Sequence, residues 1–460
     1  MERIAESAPR RRTWSERLYR PFVYEALGIT LTLGFATGAG MLLLPVFRPP
    51  DGITWRTHTQ AHSVAQAMGW AGLFVMGIAY HVVPRFRNTA MAFVRPQYLS
   101  LVLVLAGVSF RFFGQSFHSW EYSDLLLQVS AVELIAGAVL FVGLTAWTLR
   151  QGNTDHGQVE WWVWTGLAWL VVSVLTHAWI VADMIDRDSP IASARLGEAI
   201  AHASLVGFIG NFVLGVSSRT LTGFMILRPQ RPILGRLPFV TLNEGVAMYV
   251  SGTLAKSADL WMLVATALEL IGFVAFILAL RLAEPKVETR RNITQTYMRR
   301  EWFIKAAYAW LMLWAVLQVV EKGSVLLGSG VLRAVVAAPL LHVLGLGFVT
   351  MMILGLAGRM LPIFEGAFLP HQRLMDAAFI MLNLSVGLRL TFGIVRTPAS
   401  TAILGASGLL GLTALVLFGW VVWGVFRPAA RERYRVAMQS LALANVDLVK
   451  LPRHPRGDQA

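Results

Sequence analysis

The sequence predicts an all-α polytopic membrane protein of twelve transmembrane helices, arranged as three four-helix repeats around a pseudo-threefold axis. Three observations carry this. First, 56% of the 460 residues are hydrophobic and only 14% charged, with a mean hydropathy of +0.58, which is too apolar for a soluble globular domain. Second, a template of roughly 20 mostly apolar residues, the length needed to cross the hydrocarbon layer, finds twelve spans. They cover approximately 24–47, 58–83, 97–113, 124–149, 159–184, 197–218, 238–256, 259–282, 303–321, 333–361, 373–394 and 400–426, of which the seventh is among the shortest. Third, one helix pattern is written three times. His342, Gly347, Gly355 and Arg359 fall on His202, Gly207, Gly215 and Arg219 at an offset of 140. Those in turn fall on Val64, Gly69, Gly77 and His81 at an offset of 138.

Other pairs repeat with similar spacing. Val132-Glu133-Leu-Ile135 matches Leu268-Glu269-Leu-Ile271, Leu242-Asn243 matches Leu382-Asn383, and Arg111 and Arg389 lie 278 apart, the two offsets combined. Four spans per unit give each copy the same orientation, unlike the inverted repeats common in secondary transporters.

Charge placement sets the topology. Arg85, Arg87, Arg95, Arg150, Arg219, Arg228, Arg231, Arg236, Lys286, Arg290, Arg291, Arg299, Arg300, Arg359 and Arg373 all fall in or beside even-numbered connections, while odd ones such as 114–124 are poor in Lys and Arg. The positive-inside rule then makes both termini cytoplasmic, in a bacterial inner membrane. The formal charge of +14 is read as topology, not as nucleic-acid binding. Residues 1–22 form a polar, basic cytoplasmic segment without the apolar core of a cleavable signal peptide. Residues 23–427 form a single membrane domain, and 428–460 a solvated, disordered cytoplasmic tail. Cysteine is absent, which excludes disulfides, thiolate-bound haem, Cys-held iron–sulfur clusters and covalent c-type haem.

With this orientation, His58, His62, His202, His342, His177 and His118 share one outer layer. Ionisable groups within spans are costly and point to function, and neutral imidazole is a common ligand for haem iron and copper. His58 and His62, four residues apart, point the same way and either chelate one metal or divide between a metal and a propionate. His202 and His342, at matched positions, read as ligands. Aligned on the glycines, the first copy has Val64 in their place, and His62 lies two residues upstream on another face. The glycines spaced by eight admit a neighbouring backbone or a flat macrocycle. Arg111 and Arg389 either meet carboxylates such as haem propionates or snorkel to the interface. Glu133 and Glu269 are either proton carriers or structural carboxyls. His81, Arg219 and Arg359 read as anchors at the inner interface.

These residues resemble subunit I of the haem-copper oxidases and, more closely, the NnrS family of haem- and copper-containing membrane proteins linked to nitric oxide. The likeness is carried by His58-Thr-Gln-Ala-His62 ahead of Gly69-Trp70, by His202 to Arg219, by His342 to Arg359 and by Asn383 to Arg389. It implies non-covalent b-type haem, with His62 and His342 as the axial pair and His202 serving a second haem or a metal. It also implies binding or turnover of nitric oxide or a similar gas, or electron transfer, and leaves open a redox partner and a homo-oligomer. Departures from the oxidase pattern matter. The seventh span has no histidine for a copper pair, the tenth has one where oxidases use two, and no cross-link tyrosine accompanies His202 in the oxidase arrangement. Dioxygen reduction is therefore not expected, and copper on His58, His62 or His177 stays open. The alternative from another class is a proton-coupled transporter using intramembrane His and Glu.

Overall fold

A computed structural model describes residues 17–48, 51–90, 93–152, 157–284 and 295–449, with the backbone alone at 295–300, 334 and 441–449. Every regular element among them is helical: α1 (Tyr19–Phe47), α2 (Gly52–Phe86), α3 (Val94–Ser116), α4 (Ser123–Gln151), α5 (Gly157–Asp186), α6 (Ala194–Phe224), α7 (Leu237–Ala255), α8 (Asp259–Leu280) and α9 (Gln295–Leu326). Then come α10, in the pieces Val331–His342, Val343–Thr350 and Met351–Glu365, α11 (Gln372–Ile394), α12 (Ser400–Phe426) and α13 (Pro428–Val449). Eleven helices among the described residues are long and apolar enough to cross a membrane, which marks the chain as a membrane protein. The helix at the seventh predicted span, α7, is not among them. It carries Asn243, Glu244, Ser251 and Thr253 within 19 residues.

Burial singles out α2, α6 and α10, which are 94%, 83% and 78% buried across their apolar windows against 33–56% elsewhere. Each carries an eight-residue π-helical segment, at Ala65–Gly72, Ala203–Gly210 and Val343–Thr350, and all three segments touch one another. Such segments are rare and mark functional positions more often than chance. Those in α6 and α10 begin immediately after His202 and His342, and that in α2 after Val64.

The repeated glycines are packing sites. A methyl group added at Gly69, Gly207 or Gly347 would stand 2.5, 2.6 or 2.8 Å from Ile29, Trp169 or Trp310. At Gly77, Gly215 and Gly355 it would meet Phe22, Trp162 and Phe303. So α1, α5 and α9 lie tightly along α2, α6 and α10, as small residues permit between membrane helices. The repeated asparagines serve the same contacts: Trp169 Nε1 donates to Asn243 at 3.3 Å and Trp310 Nε1 to Asn383 at 2.9 Å.

At the end where α2, α6 and α10 finish, here the arginine end, their side chains close a ring. The Arg219 guanidinium lies over Phe86 at 5.5 Å, Arg359 over Phe224 at 4.9 Å, and the His81 ring against Phe364 at 4.0 Å. The expected interfacial anchoring is thus corrected for His81. It is 3% exposed and packed between Phe364 and Tyr19, because the start of α1 and the end of α10 close over it.

Two further expectations change at this end. Tyr19 Oη and Arg20 Nε both donate to the Glu365 carboxylate at 2.5 Å, and helix begins at Tyr19, inside the segment read as a polar leader. The tail read as disordered is helical from Pro428 to Val449, with Arg431 3.9 Å from Glu365 and an Arg435–Glu432 pair one turn apart. Proline in the first turn and the Ala, Arg and Glu that follow suit a helix start. Residues 1–16 and 450–460, and Lys286, Arg290 and Arg291 of the long basic connection, lie outside the described residues.

Candidate functional site

The site is built at the opposite, histidine end. Asp51 caps α2, its carboxylate accepting from the Thr54 amide at 2.8 Å and the Thr54 hydroxyl at 2.7 Å, bonds that hold it below the usual carboxylate range. About two and three turns on come His58 and His62. The His62 Nδ1–H donates to the Gly34 carbonyl at 2.8 Å. That carbonyl closes a π-helical stretch of α1, Thr30–Gly34, where the regular hydrogen-bond ladder is interrupted. The ring lies flat enough on α1 that a methyl at Gly38 would stand 2.7 Å from its Cε1.

On α10, His342 Nδ1–H donates to the Ala338 carbonyl at 2.9 Å. A carbonyl can only accept, so in both rings Nδ1 carries the proton and Nε2 keeps its lone pair. This is how metal-ligating histidines are oriented. The two rings are within electrostatic reach of one another and of Arg389 on α11. Arg389 is 8% exposed, and its buried Nε has no hydrogen-bond partner among the described residues. A guanidinium buried without an anion is costly. Two half-buried imidazoles with free Nε2 atoms, within electrostatic reach of a buried arginine, are the groups that would hold an iron porphyrin, whose carboxylates would supply an anion for Arg389.

Gly38→Val tests the support of this pair. It is expected to push the His62 ring off the Gly34 carbonyl and to weaken metal or haem binding about tenfold, the scale of losing an orienting contact. Haem titration of the variant checks this, and undiminished binding contradicts it.

His202 is engaged differently. Its Nε2 lies 2.6 Å from Glu269 Oε1, with Glu269 1% exposed, and its ring stacks on Tyr249 at 3.8 Å and 9°. Tyr249 Oη donates to Glu198 at 2.7 Å, which also accepts from Lys322 and Arg333 at 3.2 Å. Lys322 further pairs with Glu321 at 3.1 Å. A polar network therefore runs from the Glu269 carboxylate toward the histidine end.

The other predicted residues divide between two places. Arg111, 1% exposed, reaches the Met184 sulfur at 3.5 Å, and its Nε has no hydrogen-bond partner among the described residues. His177 is within electrostatic reach of Arg111, and its Nε2 is 3.3 Å from the Ser130 hydroxyl. His58 Nδ1 bonds the Thr54 carbonyl at 2.9 Å. Glu133 is half-buried with Oε2 unpaired, unlike Glu269. Among the described residues no three His, Asp or Glu side chains gather as a metal cage.

Tyr249, Glu198, Glu321 and Lys322 were missed by sequence reasoning, although one signal was there. Tyr249 stands 138 after Arg111 and 140 before Arg389. Three matched positions thus hold Arg, Tyr and Arg. The tyrosine position is filled by its own His–Glu network, while both arginines lack a carboxylate among the described residues.

A comparison with protein-family models finds no matching family, and one with curated proteins finds no match.

Proposed function

We propose that this is a haem-binding integral membrane protein of the NnrS type, holding haem between His62 and His342 with Arg389 on its carboxylates. The observation that carries the reading is the pair of imidazoles with free Nε2 atoms beside a buried arginine that has no anion. When bound, haem would supply reversible one-electron chemistry and an iron able to take diatomic ligands such as nitric oxide. The residues of the chain orient, exclude water and balance charge. Gly34 and Ala338 fix the two tautomers, and α1 shields His62. His58, His177, His202 and Arg111 stay candidates for a second cofactor or copper.

The finer architecture belongs to the same proposal: twelve spans, three same-orientation repeats, the arginine end cytoplasmic. It is supported by the matched offsets of the π segments, the glycine contacts and the ring of Phe86, Phe224 and Phe364. The test is an optical spectrum of detergent-purified protein, oxidised and reduced, with and without nitric oxide. A haem band that shifts with nitric oxide supports gas binding, and one indifferent to it supports a closed bis-His haem and electron transfer. The absence of any haem band overturns the reading.

A second reading, proton-coupled transport, is favoured by the buried His202–Glu269 pair and its network toward Arg333. It predicts colourless protein whose substrate uptake follows a proton gradient and is lost in Glu269→Gln.

A further inference from the structure

At the arginine end, away from the histidines, two adjoining cavities open between the start of α5, the end of α6, the start of α7 and the end of α8. The first, about 240 Å³, is walled by Gln158, Ser218, Gln230, Arg231 and Arg236 over an aromatic floor that includes Trp162 and Phe276. The second, about 350 Å³, continues along the bundle surface past Trp164, Thr165 and Val240. Trp161, Arg236 and Phe239 line both, so the two adjoin along one groove, of mixed polarity at the first cavity and mainly apolar at the second.

The charges around the groove do not cancel. Arg236 lies over the Trp161 ring at 4.3 Å, and Arg150 over Trp164 at 5.8 Å; neither has a carboxylate partner among the described residues. Arg231 pairs with Glu284 at 2.5 Å, and Arg281 shares that carboxylate at 2.7 Å. The Arg281 and Arg231 guanidiniums keep the Glu284 carboxyl below the usual carboxylate range, so it is charged at neutral pH. Glu160, next to Trp161, is already bound to Arg87. Among the described residues, Arg231 and Arg236 line the cavities with Arg150 and Arg281 nearby, and Glu284 is the one carboxylate found paired with any of the four.

Elsewhere the polar groups are turned inward. Gln230 Nε2 donates to the Ser218 carbonyl and Gln158 Nε2 to the Gly235 carbonyl at 3.4 Å, and both stiffen the loop carrying Arg231 and Arg236. A short 3₁₀ turn, Pro232–Leu234, separates the two arginines in the chain, and both line the cavity.

We propose that this groove binds an anionic phospholipid, its phosphate against Arg236 and Arg231 and one acyl chain along Trp164, Phe239 and Val240. A soluble oxyanion would use the basic cavity and leave the apolar one unexplained; a neutral lipid would use the apolar one and leave the arginines unbalanced. Only an amphiphile with uncompensated negative charge satisfies both. The position suits it, since Trp and Arg at span ends lie at headgroup depth, and basic pockets between spans hold acidic headgroups.

Native mass spectrometry of the full-length protein, exchanged into detergent with phosphatidylglycerol, phosphatidylcholine or inorganic phosphate, tests the assignment. Phosphatidylglycerol is expected to stay bound in preference to phosphatidylcholine. Arg236→Gln should reduce its occupancy about fivefold, the scale of one near-surface arginine on an acidic lipid, while Arg236→Lys keeps most of it. Val240→Trp, which fills the apolar cavity without touching a charge, should reduce it as well. Equal retention of both lipids, unchanged retention in Arg236→Gln, or retention of phosphate as strong as that of phosphatidylglycerol would overturn the proposal. Because Arg236 and Val240 are exposed and distant from the histidines, haem content in these variants reports folding independently of the lipid result.

Discussion

Haem content is expected to fall by more than about tenfold in His62→Ala and in His342→Ala, since loss of a partner that merely orients a ligand already costs ~10–100-fold in metal affinity. The two substitutions should not add. Each ring is one half of the same pair, and the double variant should be no poorer in haem than the worse single one. Arg389 separates a ligand role from a charge role. Arg389→Gln removes a cation within electrostatic reach of both rings, so any haem that remains should show a lower midpoint potential, because the reduced, more negative state loses its compensating charge. Arg389→Lys should restore most of the potential. A purely structural role for Arg389 predicts lost stability with no change in potential, and redox titration distinguishes the two.

The second large effect concerns stability. Glu269→Leu leaves His202 Nε2 buried against an apolar side chain, and an unsatisfied buried polar group costs about 1–3 kcal/mol. His202→Ala removes the same contact together with the Tyr249 stack. The double variant should therefore be destabilised by less than the sum of the two, with a coupling of about 0.5–3 kcal/mol in a double-mutant cycle on detergent unfolding. Glu269→Gln, which can still accept from or donate to the ring, should lie close to wild type. Additive losses would show that the pair does not act as a unit.

How much of this was legible in the sequence depends on how local each signal is. Glycines and aromatic residues that govern helix approach act through spacing alone, so offsets of 138 and 140 could be read from the chain, and they recur as contacts: Gly69 with Ile29, Gly207 with Trp169, Gly347 with Trp310. Helix α7 was the weakest span in the sequence for the same reason that it falls outside the eleven, its polar Asn243 and Glu244. Residue type alone could not give pairings across helices. His202 and His342 occupy matched positions and read alike, yet Nε2 of one meets Glu269 while that of the other has no partner among the described residues, since the residue 140 after Glu269 is Leu409. Glu133 and Glu269 read alike too, and only Glu269 faces a histidine. His81 read as an anchor because hydropathy places it at a span end, whereas its burial depends on Phe364, 283 residues away in the chain.

The most direct measurement of the central claim is the haem-to-chain ratio of the wild-type protein, purified in detergent after expression with haem precursor, from its reduced pyridine adduct and quantified protein. The account predicts at least one haem per chain, released intact without covalent attachment, since the chain has no cysteine to tether it. Protein that is folded, monodisperse and free of haem would contradict it.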